Sequence, residues 1–250
     1  MTRILTYNVH RCLGTDRRLD VARIADVIAA RRPDIVALQE VDVGRARSGG
    51  VDQAHAIAER LGMAFRFHAA LTVEKERYGS AILTALPERL IKVGALPGHP
   101  RLPALEPRGA LWVAIDVDGV ELQVINTHLG LVPREQQIQA DALAGPAWLA
   151  SAARRDPLMI LGDFNANADS VAGRCLLRTL HDSRRGVPGG TRVATFPSAM
   201  PMRQIDHVFV SAGITIQAIG APVDPLARRA SDHVPLVVDF TLETPRSPSL

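Results

Sequence analysis

The chain has 250 residues, 47% of them hydrophobic, which is enough to fill a sizeable core. No apolar run approaches the roughly 18 residues that span a bilayer, and the N-terminus has no signal-peptide core, so we expect a soluble, cytoplasmic protein.

The formal charge is only +3. The excess of arginine does not indicate nucleic-acid binding, because genome composition explains it equally well. Cys12 and Cys175 have neither a metal-binding nor a redox spacing, which argues against a disulfide framework.

The N-terminal part predicts a strand over Ile4–Val9, an amphipathic helix over Leu19–Arg31 and a second strand over Asp34–Gln39. This order is a βαβ opening. Later runs rich in Val and Ile predict strands over Ser80–Thr84, Leu111–Val117, Glu121–Asn126, Leu158–Leu161, Ile205–Val210, Ile214–Ile219 and Val234–Phe240. Helical stretches are predicted over Gln53–Leu61, Arg134–Ala153 and Ala172–Leu180.

Short turns such as Asp118-Gly119 between consecutive strands predict hairpins, so the sheets contain antiparallel as well as parallel pairs. Helices together with about ten strands predict an α/β (α+β) protein with two mixed sheets packed face to face and helices outside, because each sheet must bury a face. We find no repeat or linker, so residues 1–243 are predicted to form one domain, followed by a disordered tail at 244–250.

Two Pro- and Gly-rich segments, Leu96–Gly109 and Gly186–Arg192, are predicted surface loops. The first is long for a structureless connection, which makes it a candidate substrate-binding loop.

Polar side chains appear where the predicted strands end. Asn8, Glu40, His128 and Asp163 each follow an apolar run, at the positions where sites of α/β sheets usually gather. Each has a simpler explanation when taken singly: Asn8 and Asp163 as turn residues, Glu40 as a helix cap and His128 as a core histidine. It is their combination with further motifs that favours a functional site.

Five short motifs occur in a fixed order: Leu38-Gln39-Glu40, Thr127-His128-Leu129, Gly162-Asp163-Phe164-Asn165, Ile205-Asp206-His207 and Ser231-Asp232-His233-Val234-Pro235-Leu236. Together they resemble the endonuclease/exonuclease/phosphatase superfamily, which includes DNase I, exonuclease III and the sphingomyelinases, and the chain looks like a short, bacterial-type member. The resemblance runs from Asn8 to His233, nearly the whole chain. It implies a four-layer α/β/β/α sandwich and a phosphoesterase that depends on Mg²⁺, with Mn²⁺ as a substitute.

The resemblance also implies a role for each motif residue. Glu40 is the principal metal ligand, with Asn8 and Asp232 close by, and this oxygen-rich set suits magnesium. Asp163 orients and deprotonates the attacking water, and Asn165 donates a hydrogen bond to the phosphate.

The implied roles continue with the two histidines. Asp206 holds His233 as an imidazolium that donates to a phosphoryl oxygen, and His128 contacts the phosphate from the opposite side. Tyr78 occupies a position where relatives carry a supporting residue. His207 follows Asp206 on a strand and is expected to face the other way, as a structural residue.

The substrate is not determined by these motifs, because relatives that share the centre cut DNA, RNA, lipids, inositol phosphates or nucleotides. His128 and Gln204 depart from the abasic-site endonuclease pattern, and residues 204–210 lack the cysteine-containing segment of inositol polyphosphate phosphatases. Loop arginines could hold a second phosphate or an anionic head group, although arginines in loops are more often only solvated; they are Arg101, Arg108, Arg228 and Arg229.

Three hypotheses therefore stand. The first is a phosphodiesterase, nuclease-like or acting on a phospholipid head group. The second is a phosphomonoesterase on the same scaffold, and the third is a binding module without catalysis. Aromatic residues make up only 4% of the chain, which provides few stacking platforms for single-stranded nucleic acid. No obligate protein partner is indicated.

Overall fold

The computed structural model describes residues 1–155, 157–187 and 193–243. Within these ranges twelve strands form two six-stranded mixed sheets. The strands are β1 Thr2–Asn8, β2 Ile35–Val43, β3 Ala64–Val73, β4 Glu76–Thr84, β5 Glu88–Ala95, β6 Gly109–Val117, β7 Val120–His128, β8 Leu158–Asp163, β9 His181–Asp182, β10 Asp206–Val210, β11 Ile214–Gly220 and β12 Leu236–Leu242. The helices are α1 Val21–Ala29, α2 Gln53–Leu61, α3 Pro133–Ala144, α4 Leu149–Ala152, α5 Val171–Leu176 and α6 Pro225–Ala230.

The first sheet has the strand order β11-β12-β1-β2-β4-β3, and the second has the order β5-β6-β7-β8-β10-β9. The predicted βαβ opening is confirmed, because β1 and β2 are parallel neighbours with Ile4 opposite Ile35. The helix between them begins where the Asp20 side chain accepts a hydrogen bond from the amide of Arg23, a regular N-cap.

The Asp118-Gly119 hairpin is also confirmed. Val117 and Val120 pair directly, and the two turn residues have φ angles of 53° and 84°. Both angles are positive, as the two-residue turn that matches the twist of an antiparallel pair requires.

Three apolar layers separate the sheets and helices. One lies between the two sheets and contains Ile4, Ile35, Val124 and Leu161 among its buried residues. A second lies between the first sheet and helices α1, α2 and α6, and a third between the second sheet and helices α3 to α5. This arrangement is the four-layer sandwich, because each sheet buries both of its faces.

Some predicted elements were wrong. The helix predicted over Arg134–Ala153 is broken after α3, since Pro146 follows Gly145 and cannot continue the hydrogen-bonding pattern. Strands β3 and β5 were missed because each lies at a sheet edge and is only half-buried, so neither contains a continuous apolar run. The short helix α6 was missed as well.

The segment from Leu96 to Arg108 connects β5 to β6 without regular secondary structure, as predicted. Most of the second predicted loop, at 188–192, and the predicted tail at 244–250 lie outside the described residues. In the described part of the chain, no helix has the length and apolar character needed to cross a membrane.

Candidate active site

The sheet topology brings the motif residues to one end of the sandwich. Asn8 ends β1 and His128 and Asp163 end the parallel pair β7 and β8, where they are partners in register. Asp206 begins β10, which is antiparallel to β8, so it also lies opposite Asp163. Glu40 lies in β2, one residue past the partner of Asn8.

These residues line one cavity of about 440 Å³. It contains seven of the eight catalytic and metal-binding residues predicted from the sequence, together with Tyr78 and Arg108. The exception, Asp206, lies directly behind His233. The full lining is Asn8, Arg11, Glu40, Arg47, Tyr78, Glu106, Arg108, His128, Leu131, Asp163, Asn165, Phe196, Arg203, Ile205, Asp232 and His233.

Glu40 enters the cavity from a β-bulge. The pairing of β2 with β4 shifts between Leu38 and Val41, and Glu40 has a φ of 59°, in the left-handed region that non-glycine residues rarely adopt. The side-chain nitrogen of Asn8, Nδ2, donates to Glu40 Oε1 at 3.0 Å and to Asp163 Oδ2 at 2.9 Å. Asn8 Oδ1 accepts from the backbone amide of His10, which fixes this orientation. Asn8 therefore connects the two carboxylates through its N–H groups.

Asp163 and Asn165 occupy a tight turn after β8. Gly162 has a φ of 140°, and a Cβ there would lie 1.8 Å from the carbonyl oxygen of Thr127, so only glycine fits. Asn165 has a φ of 51°, and its backbone amide donates to Asp163 Oδ1 at 2.8 Å. The turn directs both side chains into the cavity, as the sequence indicated.

His233 and Asp206 form a buried pair, with His233 Nδ1 2.8 Å from Asp206 Oδ2. The other ring nitrogen, Nε2, lies 3.6 Å from Asp163 Oδ2. Burial by itself lowers the pKa of His233, but the charges of Asp206 and Asp163 outweigh it and raise the pKa above its usual value. His233 is therefore an imidazolium at neutral pH. Burial and the charge of Asp206 raise the pKa of Asp163.

His128, unlike His233, is neutral. Burial, followed by the charges of Arg108 and His233, lowers its pKa well below the usual value. Arg108 Nη1 lies 3.0 Å from His128 Nδ1, and Asn165 Nδ2 lies 3.0 Å from Nε2. Both facing groups are donors, and a neutral imidazole can accept from only one of them. Nε2 also lies 3.6 Å from Asp163 Oδ2, so His128 presents a neutral ring beside Asp163.

Two groups of side chains could hold a cation. Asp163, Asp206 and His233 have potential ligand atoms within 4.8 Å of one another. His233 is an imidazolium between the Asp163 and Asp206 carboxylates, however, and a protonated ring cannot bind a metal.

Glu40 fits a hard cation better. It accepts a hydrogen bond from Asn8 and forms no ion pair within the described part of the chain, while the nearby Arg47 pairs with Asp42. The half-exposed carboxylate of Asp232 lines the same cavity. Oxygen ligands and open access to water suit magnesium and manganese.

The remaining predicted residues divide into two groups. Tyr78 is 5% exposed and lies under the guanidinium of Arg47, and burial raises the pKa of its phenol, so it remains an O–H group in the wall of the cavity. Arg108 is buried in the same wall. Outside the cavity lie Arg101, on the exposed loop, and Arg228 and Arg229, which line a separate surface depression.

His207 faces away from the cavity, as predicted. Its ring stacks on Phe209 with centroids 5.3 Å apart, and Nε2 contacts the carbonyl oxygen of Ala166 at 2.9 Å.

Five polar or aromatic residues of the cavity were missed in the sequence: Arg11, Arg47, Glu106, Phe196 and Arg203. None of them directly follows a predicted strand, so the pattern of polar residues at strand ends does not mark them. Phe196 packs against the ring of His233, with centroids 5.0 Å apart.

Known proteins share this sequence pattern and this fold. The sequence profile of the endonuclease/exonuclease/phosphatase family matches residues 5–233. An uncharacterized protein of Escherichia coli, YbhP, is 24% identical over 256 residues, covering 96% of each chain.

Among solved structures, an endonuclease/exonuclease/phosphatase from Beutenbergia cavernae has a TM-score of 0.75 and 24% identity, covering 97% of this chain and 72% of that one. A mannosyl-6-phosphatase from Bacteroides thetaiotaomicron also has a TM-score of 0.75, with 19% identity, covering 97% of this chain and 100% of that one. At these identities the structures establish the shared fold, whereas the profile covers most of the sequence. The chain belongs to the endonuclease/exonuclease/phosphatase family.

Proposed function

We propose that this protein is a divalent-metal-dependent phosphodiesterase that hydrolyses its substrate by in-line attack of water. The observation that carries the proposal is the assembly, in one cavity, of Glu40, the Asp163–Asn165 turn, neutral His128 and the charged His233–Asp206 pair. Hydrolysis of a phosphate ester needs a base, donors for the phosphoryl oxygens and charge compensation, and each of these is present.

Glu40 and Asp232 would hold the cation, with Asn8 orienting the Glu40 carboxylate by its hydrogen bond of 3.0 Å. Bound there, magnesium would compensate the negative charge of the phosphate and of the departing oxygen. Manganese would serve as a substitute because it accepts the same oxygen ligands.

The side chains of this chain would act on opposite sides of the phosphate. Asp163 takes the proton of the attacking water, since its carboxylate is held by Asn8 and by the amide of Asn165. Asn165 and His233 donate hydrogen bonds to phosphoryl oxygens, and His128 contacts the phosphate from the opposite side.

The exposed rim of the cavity favours a diester substrate. Leu131 at its rim is 71% exposed and Arg203 is exposed too, which leaves room for a second ester arm to extend into solvent. Nucleic acid and a phospholipid head group both present such a diester.

A phosphomonoesterase is the second candidate, and a specific observation favours it. Arg11 and Arg203 line the cavity and form no ion pair with any residue that the structure describes, so they could compensate the additional charge of a terminal phosphate. The mannosyl-6-phosphatase that shares this fold acts on a monoester by its name.

The test compares hydrolysis of bis(p-nitrophenyl) phosphate and p-nitrophenyl phosphate with Mg²⁺, with Mn²⁺ and with EDTA. Cleavage of the diester that EDTA abolishes is the expected result, and preference for the monoester would replace the proposal by the second candidate. Plasmid, oligonucleotide and phospholipid-vesicle substrates then identify the class of diester.

Two variants control for contaminating hydrolases. Asp163→Asn should be inactive, whereas Asp26→Asn, on the exposed face of α1 where it pairs with Arg60, should retain full activity. Absence of hydrolysis on every substrate with either metal would refute the proposal and favour a binding module.

A further inference from the structure

Two buried amide side chains meet between the sheets and do not line the active-site cavity. Gln39 projects from β2 of the first sheet and Asn126 from β7 of the second, and both are fully buried. Gln39 Nε2 donates to Asn126 Oδ1 at 2.8 Å and to Thr6 Oγ1 at 3.0 Å. Buried amides in an apolar layer are costly unless their hydrogen bonds are satisfied. Their position therefore calls for an explanation.

Asn126 contacts the backbone at the start of the Glu40 bulge. Its two amide protons are donated to the carbonyl oxygens of Leu38 and Ala81, both at 2.9 Å. These two residues form the last regular pair before the register of β2 and β4 shifts, and the next pair is Val41 with Gly79. Both N–H groups of Asn126 are thus used to hold the two sides of the bulge from the opposite sheet.

The bulge determines where the Glu40 carboxylate points. In the bulge, Gln39 and Glu40 on β2 lie opposite the single residue Ser80 on β4. Glu40 takes the strained φ of 59°. A non-glycine residue in this conformation is strained and persists only when the surroundings hold it there. The Asn126 bonds supply that restraint, and Gln39 fixes which end of the Asn126 amide faces the carbonyl groups.

We propose that Asn126 is a positioning residue for Glu40: its amide crosses between the sheets to fix the β-bulge that aims the Glu40 carboxylate at the cation. The inference rests on the proposed function in that Glu40 holds the metal. An apolar core residue at position 126 would fill the same space between the sheets. What it could not do is hold the carbonyl groups of Leu38 and Ala81, and this is the difference that an experiment can measure.

The test replaces Asn126 by leucine, which has nearly the same size and no donor. Mn²⁺ binding, measured by calorimetry and by electron paramagnetic resonance, is expected to weaken about 10- to 100-fold, as when the outer partners of a metal ligand are removed. Turnover at saturating Mn²⁺ should recover much more than turnover at low Mn²⁺. Hydrogen–deuterium exchange without metal should accelerate at residues 38–41.

Gln123→Leu is the matched control. Gln123 is a fully buried amide on the same strand, but it bonds to Trp112 and Glu121, away from the bulge. The Gln123→Leu substitution should lower thermal stability without changing the Mn²⁺ affinity or the hydrogen–deuterium exchange at residues 38–41. If Asn126→Leu does not fold, Asn126→Asp keeps the size and the acceptor for Gln39 but has at most one donor for the two carbonyl groups.

The outcomes separate the two proposals. If the wild-type protein binds Mn²⁺ and the Asn126 variants bind it equally well, the inference is overturned. If the wild-type protein binds no Mn²⁺, the proposed function fails, and unchanged exchange at 38–41 in the variants would overturn the positioning role independently. Equal weakening in Gln123→Leu would also overturn it, because the effect would then reflect core stability alone.

Discussion

Replacing Asp206 by asparagine separates the charge of the His233–Asp206 pair from its geometry. An asparagine carbonyl can still accept from His233 Nδ1, which lies 2.8 Å from Asp206 Oδ2, but it carries no charge. Both side chains are at most 5% exposed, so solvent does not replace the lost interaction. His233 should therefore become harder to protonate.

The magnitude follows from the strength of a hydrogen bond between charged groups. Such a bond contributes about 1.5–3 kcal/mol, and 1.36 kcal/mol corresponds to a tenfold change in a protonation equilibrium. Loss of the Asp206 charge should thus disfavour the imidazolium about 10- to 150-fold.

The sign of the pH effect is fixed by the direction of the shift. The pKa of His233 is raised to about 10, so the imidazolium is present below that pH and is lost as the pH rises through it. In Asp206→Asn the alkaline limb of the kcat/KM profile on bis(p-nitrophenyl) phosphate should move to lower pH. NMR titration of His233 should show the same displacement.

Asp182→Asn is the control for this experiment. Asp182 is a buried carboxylate on the neighbouring strand β9, and it pairs with Arg184 outside the cavity. Its substitution should leave the profile in place. A folded Asp206→Asn protein with unchanged kcat/KM and an unchanged alkaline limb would refute the charged role of His233.

Three further predictions concern Asp163, Glu40 and Gly162. Asp163→Ala should lower kcat about 100-fold or more, in line with the size of acid–base contributions; near-normal turnover would exclude it as the base. Glu40→Gln should weaken Mn²⁺ binding, measured by calorimetry, about 10-fold or more, and equal affinity would place the cation elsewhere. Gly162→Ala should lower the free energy of unfolding in urea by about 3 kcal/mol or more, because its Cβ would meet the Thr127 carbonyl oxygen at 1.8 Å; Gly98→Ala, with open space around it, is the control.

Local patterns in the sequence were sufficient for much of the fold. The βαβ opening and the Asp118-Gly119 hairpin depend on neighbouring residues only, so periodicity and turn chemistry predicted both. The edge strands β3 and β5 were not predictable in this way. Their burial depends on which strand lies beside them and which face is covered, and both are properties of the assembled sheets.

The same distinction between local sequence pattern and assembled structure applies to the site. By itself, the sequence predicted most of the polar groups that meet in the cavity, because carboxylates, amides and histidines at strand ends are costly unless they have a role there. Tertiary structure alone decided how they are arranged: the bulge at Glu40, the N–H groups of Asn8 turned toward two carboxylates, and Arg108 placed against His128. It also placed Arg228 on another surface. The physical reason is that these contacts join residues far apart in the chain, and only strand pairing within each sheet together with the packing of the two sheets brings them within hydrogen-bonding distance.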